Sequence, residues 1–396
     1  LANLSWALAP QGVRDDRFFH SVTCSARAKI RGFTPQGLSN LAWALAKARM
    51  ETPEFCAVLA REVVARAGYL GTQDLSNLAW AFATLHEGDA ELFRALVRAV
   101  VPNVSRCKTQ EFANLAWAFA TVSAQEQELG RAISGDLVLR LRRSGPSGLS
   151  AGASTEFATS ALAVVWALGL TGELSEGVRA AARTRLLELG RALDGGRSRR
   201  RATAPALPAA VAAEAPPLDG GARGPEVVLD LADRLAVLKP PGWEVEPADS
   251  DVAGGAHLQL LRFLHARLPP RSWPLLADAA QHHGLLHRLD VPSSGVVLAA
   301  KTYEAYYDLR LQLSAGDMDR DYLVLCHGHM PLGLREVDAR VHWSAVSPRP
   351  SAVARQGKPS LTHVKVLAHC LRQGRPFSLI VARIATGRRH QIRVHV

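Results

Sequence analysis

Hydrophobic and polar positions along the first 190 residues follow the period of an α-helix. In one stretch the apolar residues recur three and four positions apart, which places them on one helical face. These residues are Leu38, Leu41, Ala42 and Leu45. Pro53 predicts the start of a second helix, over residues 53–67, because proline suits the first turn of a helix. The pattern therefore predicts a helical hairpin.

The hairpin is repeated along the chain. Its first helix carries a tryptophan every 37 residues, at Trp6, Trp43, Trp80 and Trp117, and a degenerate copy ends at Trp166. Thr34, Thr72 and Thr109 precede the copies and can cap their first helices. One hairpin cannot bury its apolar face alone, whereas stacked copies can. We therefore predict an all-α helical-repeat solenoid over residues 1–190, with the tryptophans in the core between hairpins.

The pattern changes after residue 190. Residues 191–226 are rich in Pro, Ala, Gly and Arg and hold few apolar anchors, which predicts a flexible linker. From residue 227 onward, short runs of β-branched and apolar residues alternate with turn signals. This predicts a second domain over 227–396, of the α+β class with a mostly antiparallel sheet. The chain is thus expected to be multidomain.

Composition limits the class of protein. The chain has 396 residues, of which 48% are hydrophobic and 21% charged, as expected for two or three folded domains. No apolar run approaches the roughly 20 residues that a membrane span needs, so no membrane partner is expected. The five cysteines form no CxxC pair, which argues against a zinc ribbon or a disulfide scaffold. No metal site is expected.

The charge of the chain favours a polyanionic partner. The 47 Lys and Arg outnumber the 36 Asp and Glu, which gives a net charge of +11. Residues 227–396 hold 21 of these basic residues against 15 acidic ones. Four of the basic residues lie in a final stretch without an acid, which we expect to be a strand. They are Arg383, Arg388, Arg389 and Arg393.

Three short strings carry candidate chemistry: HRLD ending at Asp290, RDY ending at Tyr322, and TGRRHQIRVH over residues 386–395. A carboxylate beside an arginine within a turn is suited to a nucleophile that stays ionised and exposed. The alternative is an ordinary salt bridge at the end of a helix. For His287, His390 and His395, structural hydrogen bonds are the simpler interpretation.

Taken together and in order, these strings resemble the RluA-type (RluA/RsuA-like) RNA pseudouridine synthases. The chain also matches that family in KPPG over 239–242 and in Ala300-Lys301. The resemblance implies an isomerase that converts uridine in RNA to pseudouridine without metal or cofactor. It implies that Asp290 is the nucleophile, that Tyr322 stacks on the base and takes part in removing the C5 proton, and that Arg393 pairs with the aspartate.

Other basic residues of the three strings are expected to contact the RNA. They are Arg288, Arg320, Arg388, Arg389 and His390. Arg320 replaces the lysine that is usual in the family, and Ser293 replaces a threonine. The target uridine has to leave its stack to reach a catalytic pocket, so base flipping is expected.

The repeats resemble octotricopeptide-type repeats of organellar RNA-binding proteins, including those with RAP domains. This resemblance implies RNA contacts from variable polar positions such as Gln36, Gln73 and Gln110, and a location in the mitochondrion or chloroplast, otherwise the cytoplasm. The sequence begins at Leu1 and shows no targeting segment. The family continues beyond the position of Val396, so we expect further chain at both ends.

Two other functions remain open at this point. The chain could be a non-catalytic RNA-binding protein of organellar RNA metabolism, or its repeats could be a scaffold for protein partners. Retention of Asp290, Tyr322 and Arg393 favours the enzyme. Because no heptad seam is visible, a monomer is expected.

Overall fold

The computed structural model describes most of the chain. The described residues are 2–9, 15–50, 52–87, 90–122, 126–143, 150–201, 224–245, 259–343, 350–354 and 357–396.

The described segments contain thirteen α-helices and nine strands. The helices are α1 Ala2–Leu8, α2 Asp16–Lys29, α3 Pro35–Ala48, α4 Pro53–Arg66, α5 Thr72–Leu85, α6 Ala90–Val100, α7 Thr109–Val122, α8 Gln127–Arg143, α9 Ala151–Leu170, α10 Glu176–Arg201, α11 Leu260–Arg267, α12 Tyr303–Ala315 and α13 Gln391–His395. The strands are β1 Glu226–Asp230, β2 Arg234–Lys239, β3 Gly295–Ala300, β4 Asp321–His327, β5 Glu336–Asp338, β6 Val341–His342, β7 Ala352–Val353, β8 Leu361–Arg372 and β9 Arg375–Ile384.

The chain forms two compact units, and each takes segments from both predicted domains. Unit 1 contains residues 1–140, 160–178 and 314–396, and unit 2 contains residues 141–159 and 179–313. The change from helices to strands along the chain is therefore not the boundary between the compact units.

The helices of unit 1 follow the repeat seen in the sequence. Helix α3 packs against α1 and α5, and α5 packs against α7, while α4 packs against α2 and α6. Thr34 caps α3 as predicted, because its Oγ1 accepts a hydrogen bond from the Gly37 N–H at 3.1 Å. Thr72 and Thr109 are instead the first residues inside α5 and α7, one position later than a cap.

The repeated tryptophans form a ladder along α1, α3, α5 and α7. Successive ring centroids lie 6.2, 6.2 and 6.5 Å apart, with interplanar angles between 32° and 39°. The rings contact each other between hairpins, as expected, but they are not buried in a core. Trp43, Trp80 and Trp117 are half-buried, and Trp6 is 48% exposed.

Helix α10 extends into the segment that we predicted to be a flexible linker. It runs to Arg201. The Asp194 carboxylate accepts hydrogen bonds from the N–H groups of Tyr303 and Glu304 at 3.0 and 3.1 Å, so it caps the start of α12. Arg191 forms an ion pair with Glu304 at 2.7 Å. These contacts offset the entropy of ordering the start of the segment. Residues 202–223 lie outside the described residues.

The synthase-like part contains antiparallel sheets, as predicted. Unit 2 holds the sheet β1-β2-β3, with Leu235 paired to Ala299 in its centre. Unit 1 holds the sheet β4-β9-β8-β5 and the small sheet β6-β7. Cys326, Val364 and Ile380 form a buried cluster on one face of the larger sheet.

Of the four arginines that we predicted to lie in a terminal strand, Arg383 does lie in one, on β9, whereas Arg388, Arg389 and Arg393 lie in a turn and a short helix. Strand β9 ends at Ile384, and α13 begins at Gln391. Oε1 of Gln391 accepts hydrogen bonds from the Thr386 hydroxyl at 2.9 Å and from the Arg388 N–H at 3.0 Å. This side chain closes the turn, and a polar contact of this kind is invisible to a hydrophobic pattern.

The exclusion of any membrane-length apolar segment was wrong. Within the described residues, Gly152–Leu170 is long and apolar enough to cross a membrane by length and composition, with a mean hydropathy of 1.3. Half of this segment is buried inside the structure. A core helix of a folded domain meets the same two criteria, so the segment carries no argument for a membrane.

Candidate active site

Asp290 ends an extended segment that runs beside β3. The Leu286 N–H donates to the Leu298 carbonyl at 3.1 Å, and the Leu298 N–H donates to Nε2 of His287 at 3.4 Å. His287 thus makes a structural hydrogen bond. After Asp290 the chain turns, because the Ser293 N–H donates to the Asp290 carbonyl at 3.0 Å. The Asp290 side chain is half-buried, and Arg288 is exposed.

Lys239 holds the backbone of the turn that follows Asp290. Its ammonium group is fully buried and donates to three backbone carbonyls, those of Pro240 at 3.1 Å, Trp243 at 2.8 Å and Val291 at 3.3 Å. Burial lowers the pKa of Lys239, and the nearby charge of Asp290 opposes this shift. The lysine therefore fixes the backbone next to Asp290 and places a positive charge near its carboxylate.

Lys301 is a second buried lysine of unit 2. It forms a short ion pair with Asp230 and donates to the Leu231 carbonyl at 2.6 Å. Its ammonium also lies 5.2 Å from the centre of the Trp273 ring. The hydrogen bond from Lys301 lowers the pKa of Asp230. The Ala300-Lys301 pair of the sequence thus ties the end of β3 to the end of β1.

A left-handed stretch of backbone precedes the HRLD string. His282, His283 and Gly284 have φ values of 49°, 53° and 76°. A Cβ on Gly284 would lie 2.5 Å from the Ala300 carbonyl oxygen. Only glycine combines the left-handed conformation with this close approach. The stretch sets the point at which the chain enters the segment that carries Asp290.

Tyr322 and Arg393 lie in unit 1. Tyr322 is half-buried on β4, opposite Ala382 of β9. Arg393 is exposed on α13. Next to Tyr322, Arg383 makes two hydrogen bonds to the Asp321 carboxylate at 2.7 and 2.8 Å, which lower the pKa of Asp321.

The structure brings together two of the predicted RNA-binding arginines. Arg320 donates to the Ala385 carbonyl at 2.9 Å, and Arg388 donates to the Pro359 carbonyl at 3.1 Å. Burial, and then the charge of Arg320, lowers the pKa of Arg388 to about 10. A Cβ on Gly387 would lie 2.9 Å from an Nη atom of Arg320.

The remaining candidates surround the same turn. Arg389 is exposed and lies over the Trp343 ring at 4.4 Å. His390 has a left-handed φ of 57°, and its Nδ1 lies 3.2 Å from the Ser351 hydroxyl. The ring of His395 bonds to the Thr362 hydroxyl and the Ala339 carbonyl, both at 2.9 Å, which is the structural role expected for it.

Asp290 belongs to unit 2, whereas Tyr322 and Arg393 belong to unit 1. The pairing of Asp290 with Arg393 and the roles assigned to all these residues stay predictions. In the described part of the chain, no group of three or more His, Cys, Asp or Glu could hold a metal ion.

Several contacts around these residues were not predicted from the sequence. Arg340 donates to the Thr121 carbonyl at 2.6 Å, and one of its Nη atoms lies 3.1 Å from Nδ1 of His86. Trp166 lies under Arg388, with 5.6 Å from the guanidinium to the ring centre. One feature of the sequence could have indicated that these residues act alike. His86 follows Arg49 by 37 residues, which is the length of the repeat, and each of the two directly follows a repeat helix.

Comparison with known proteins finds a similar family for the C-terminal part of the chain. Residues 233–396 match the family model described as RNA pseudouridylate synthase. This part of the chain is therefore similar to RNA pseudouridylate synthases.

Particular relatives share this part of the chain. Ribosomal large subunit pseudouridine synthase D of Nitrosomonas europaea is 34% identical over 173 residues, which cover 43% of this chain and 46% of the relative. The Yersinia pestis protein of the same name is 31% identical and covers 43% of this chain and 48% of the relative. YlyB of Bacillus subtilis, described as an uncharacterized RNA pseudouridine synthase, is 30% identical, with 43% of this chain and 53% of the relative covered. The chain spans about half the length of these curated relatives.

A solved structure is also similar to part of the chain. Human RNA pseudouridylate synthase domain containing 1 is 25% identical, with a TM-score of 0.33, and the match covers 45% of this chain and 66% of the human chain.

Proposed function

We propose that the chain is an RNA pseudouridine synthase that isomerises uridine to pseudouridine within RNA. The observation that carries the proposal is the HRLD string in the domain over 233–396, whose Asp290 sits on a turn fixed by the buried Lys239. A half-buried carboxylate on a rigid turn is preorganised to act on a substrate that enters from solvent.

The proposed reaction conserves every atom of the substrate. The Asp290 carboxylate bonds to C1′ of the target ribose as the bond between C1′ and N1 of uracil breaks. The uracil rotates, and C5 forms the new bond to C1′ as the bond from Asp290 to C1′ breaks, which restores the carboxylate. The proton on C5 is then lost with help from Tyr322, and N1 gains a proton, so no oxidant or reductant is consumed. Arg393 balances the charge of the carboxylate in this scheme.

The repeats are proposed to help to bind the RNA. What supports this is the arrangement of polar groups beside the tryptophan ladder. Gln36, Gln73 and Gln110 are all exposed, and each lies four and seven positions before an asparagine and a tryptophan of the same helix. Positions i, i+4 and i+7 share one face of a helix, so this face offers amides and indole rings together.

The names of the relatives suggest ribosomal RNA as the first substrate to test. Two of them are named as synthases of the large ribosomal subunit. We further propose a mitochondrial or chloroplast location from the resemblance of the repeats. A fluorescent fusion of the full-length protein tests the location, and a purely cytoplasmic signal contradicts it.

The test of the function is a chemical map of pseudouridines. Cellular RNA is compared between cells that express the wild type, the Asp290→Ala variant and an Asp16→Asn control, whose side chain is exposed on α2. We expect a defined set of sites to vanish in Asp290→Ala and to persist in the control. Identical maps for all three proteins would overturn the catalytic assignment.

A further inference from the structure

Basic side chains from distant parts of the sequence gather around one backbone pairing in unit 1. The Val341 N–H donates to the Lys358 carbonyl at 3.0 Å, and the Lys358 N–H donates to the Val341 carbonyl at 2.9 Å. Arg49, at the end of repeat helix α3, reaches this place, and so do Arg388 and Arg389 from the turn before α13.

Backbone carbonyls and aromatic faces hold these cations. An Nη atom of Arg49 donates to the Trp343 carbonyl at 3.2 Å, and Arg389 covers the Trp343 ring. Arg388 donates to the carbonyl of Pro359, the residue after Lys358, and lies over the Trp166 ring. Throughout the described residues, no carboxylate lies within 4.0 Å of the charged nitrogens of Arg49, Lys358 or Arg388.

Lys358 lies close enough to Arg388 and Arg49 for both charges to act on it. Packing of the protein around Lys358 lowers its pKa, and the charges of Arg388 and Arg49 lower it further. The charge of Arg320 likewise lowers the pKa of Arg388, in addition to the effect of burial. Like charges that lie close together without a protein counter-charge raise the free energy of the folded chain. An anion bound between them lowers this free energy, because each cation is then attracted to the anion.

We propose that Arg49, Lys358 and Arg388 form a binding site for a phosphate group of the RNA backbone, which we name the phosphate cradle. The inference rests on the proposed function in one respect, namely that the substrate is RNA. The cradle would let a repeat helix and the synthase domain grip the same strand, since Arg49 belongs to the end of α3 and Arg388 to the TGRRHQIRVH string.

The donors that remain in the cradle suit a phosphate. The Nη groups of Arg388 and the Lys358 ammonium have no hydrogen-bond acceptor among the described residues. Arginine offers N–H pairs that match two phosphate oxygens, and lysine adds a point charge. Lys358 is exposed and Arg388 is half-buried, so the cradle is open enough for a polymer strand. Phosphate contacts of this kind set the position of a nucleic acid without selecting its sequence.

The test measures the salt dependence of RNA binding by the full chain. The probe is a fluorescent oligouridine of about 12 nucleotides, within the length that single-strand sites contact. Its dissociation constant is measured by anisotropy between about 50 and 200 mM KCl. Arg49→Gln and Lys358→Gln are compared with Arg98→Gln and Lys29→Gln, which remove matched exposed charges elsewhere in unit 1.

We expect each cradle variant to bind about three- to tenfold more weakly than its control. The slope of the logarithm of the binding constant against the logarithm of salt should become shallower by about 0.7 for each phosphate that the variant no longer binds. Arg49→Lys, which keeps the charge, should retain most of the slope. The proposal is overturned if the glutamine variants match their controls in affinity and slope while circular dichroism shows that all are folded.

Two further measurements identify the anion and separate the cradle from catalysis. If inorganic phosphate at constant ionic strength displaces the oligouridine from the wild type at millimolar levels, the site prefers the free ion and the assignment to the RNA backbone fails. If pseudouridine maps do not depend on Asp290 but the cradle variants lose affinity and slope, the proposed catalysis fails and the cradle stands. If the maps depend on Asp290 and the cradle variants behave as their controls, the cradle alone fails.

Discussion

At the scale of single residues, the buried lysines of unit 2 do the most to define the candidate site. Lys239 has no carboxylate in hydrogen-bonding contact among the described residues and donates to three backbone carbonyls. A buried ammonium costs free energy unless such acceptors surround it. The three hydrogen bonds make the KPPG turn rigid and hold the backbone at Val291, directly after Asp290.

We predict that Lys239→Met loses about 1–3 kcal/mol of unfolding free energy, because three backbone carbonyls lose a donor. Pseudouridine formation should fall further than the folded fraction does, since the turn at Asp290 loses its anchor. Urea unfolding and turnover on the same samples measure both effects. Lys29→Met, at an exposed lysine of α2, is the control and should change neither.

The stabilities of the wild type and of Lys239→Met can also be compared as the pH changes. Burial lowers the pKa of Lys239 in the folded chain, so between that pKa and the unfolded value of 10.5 the unfolded chain binds more protons. The stability of the wild type relative to Lys239→Met should therefore increase as the pH rises toward 10.5. A difference that stays constant, or shrinks, with rising pH contradicts the burial of this ammonium.

At the scale of elements, the entry into the segment that carries Asp290 depends on a glycine. Gly284 combines a left-handed φ with a backbone oxygen 2.5 Å from where a Cβ would be, whereas Gly316 has a similar φ of 80° and no atom within 4 Å. Substitutions at the two glycines therefore separate the free-energy cost of the left-handed conformation from the free-energy cost of the steric clash.

We predict that Gly284→Ala destabilises the chain clearly more than Gly316→Ala does. The conformational cost shared by both is about 1–2 kcal/mol. At Gly284 the clash also pushes β3 away from the segment that leads to Asp290. Urea unfolding measures the difference, and equal losses in the two variants would show that the segment moves aside freely.

The element scale also shows what the sequence could and could not predict. Helical period, proline positions and β-branched runs located the hairpins and most strands, because these patterns reflect burial within one element. Thr72 and Thr109 were placed one position outside helices that begin on them. The sequence pattern also predicted a strand for the terminal arginines. The turn there is closed by hydrogen bonds of Gln391, and such bonds leave no periodic signal in the sequence. Lys239 was recognised only as part of a motif, since its three carbonyl partners are a property of the folded turn.

At the scale of the whole molecule, the two compact units do not follow the division into repeats and synthase domain. Unit 1 joins the repeats to the last strands through Arg340, which bonds to the ends of α5 and α7. Unit 2 joins α10 to the start of α12 through Asp194 and Arg191. Residues 233–396 thus contact residues that precede them in the sequence, and these contacts stabilise the C-terminal part of the chain.

We predict that a fragment over residues 224–396 is less stable than the full chain. It lacks the Asp194 cap of α12, the Trp166 ring under Arg388 and the acceptor of Arg340 at Thr121. Thermal unfolding of the fragment and the full chain, followed by the β-sheet signal in circular dichroism, measures the effect. Arg340→Met in the full chain should give a smaller decrease, and a fragment that melts at the temperature of the full chain contradicts the prediction.

The attachment of three successive repeats to the synthase domain limits how such a protein can change in length. Arg49, His86 and Thr121 lie at the ends of α3, α5 and α7, and all three contact the segment around residues 340–343. Gain or loss of a repeat between them would move at least one of these anchors away from this segment. A copy added before Trp6 would disturb none of them. We therefore expect a change in repeat number to be tolerated on the N-terminal side of α3 and to be destabilising between α3 and α7.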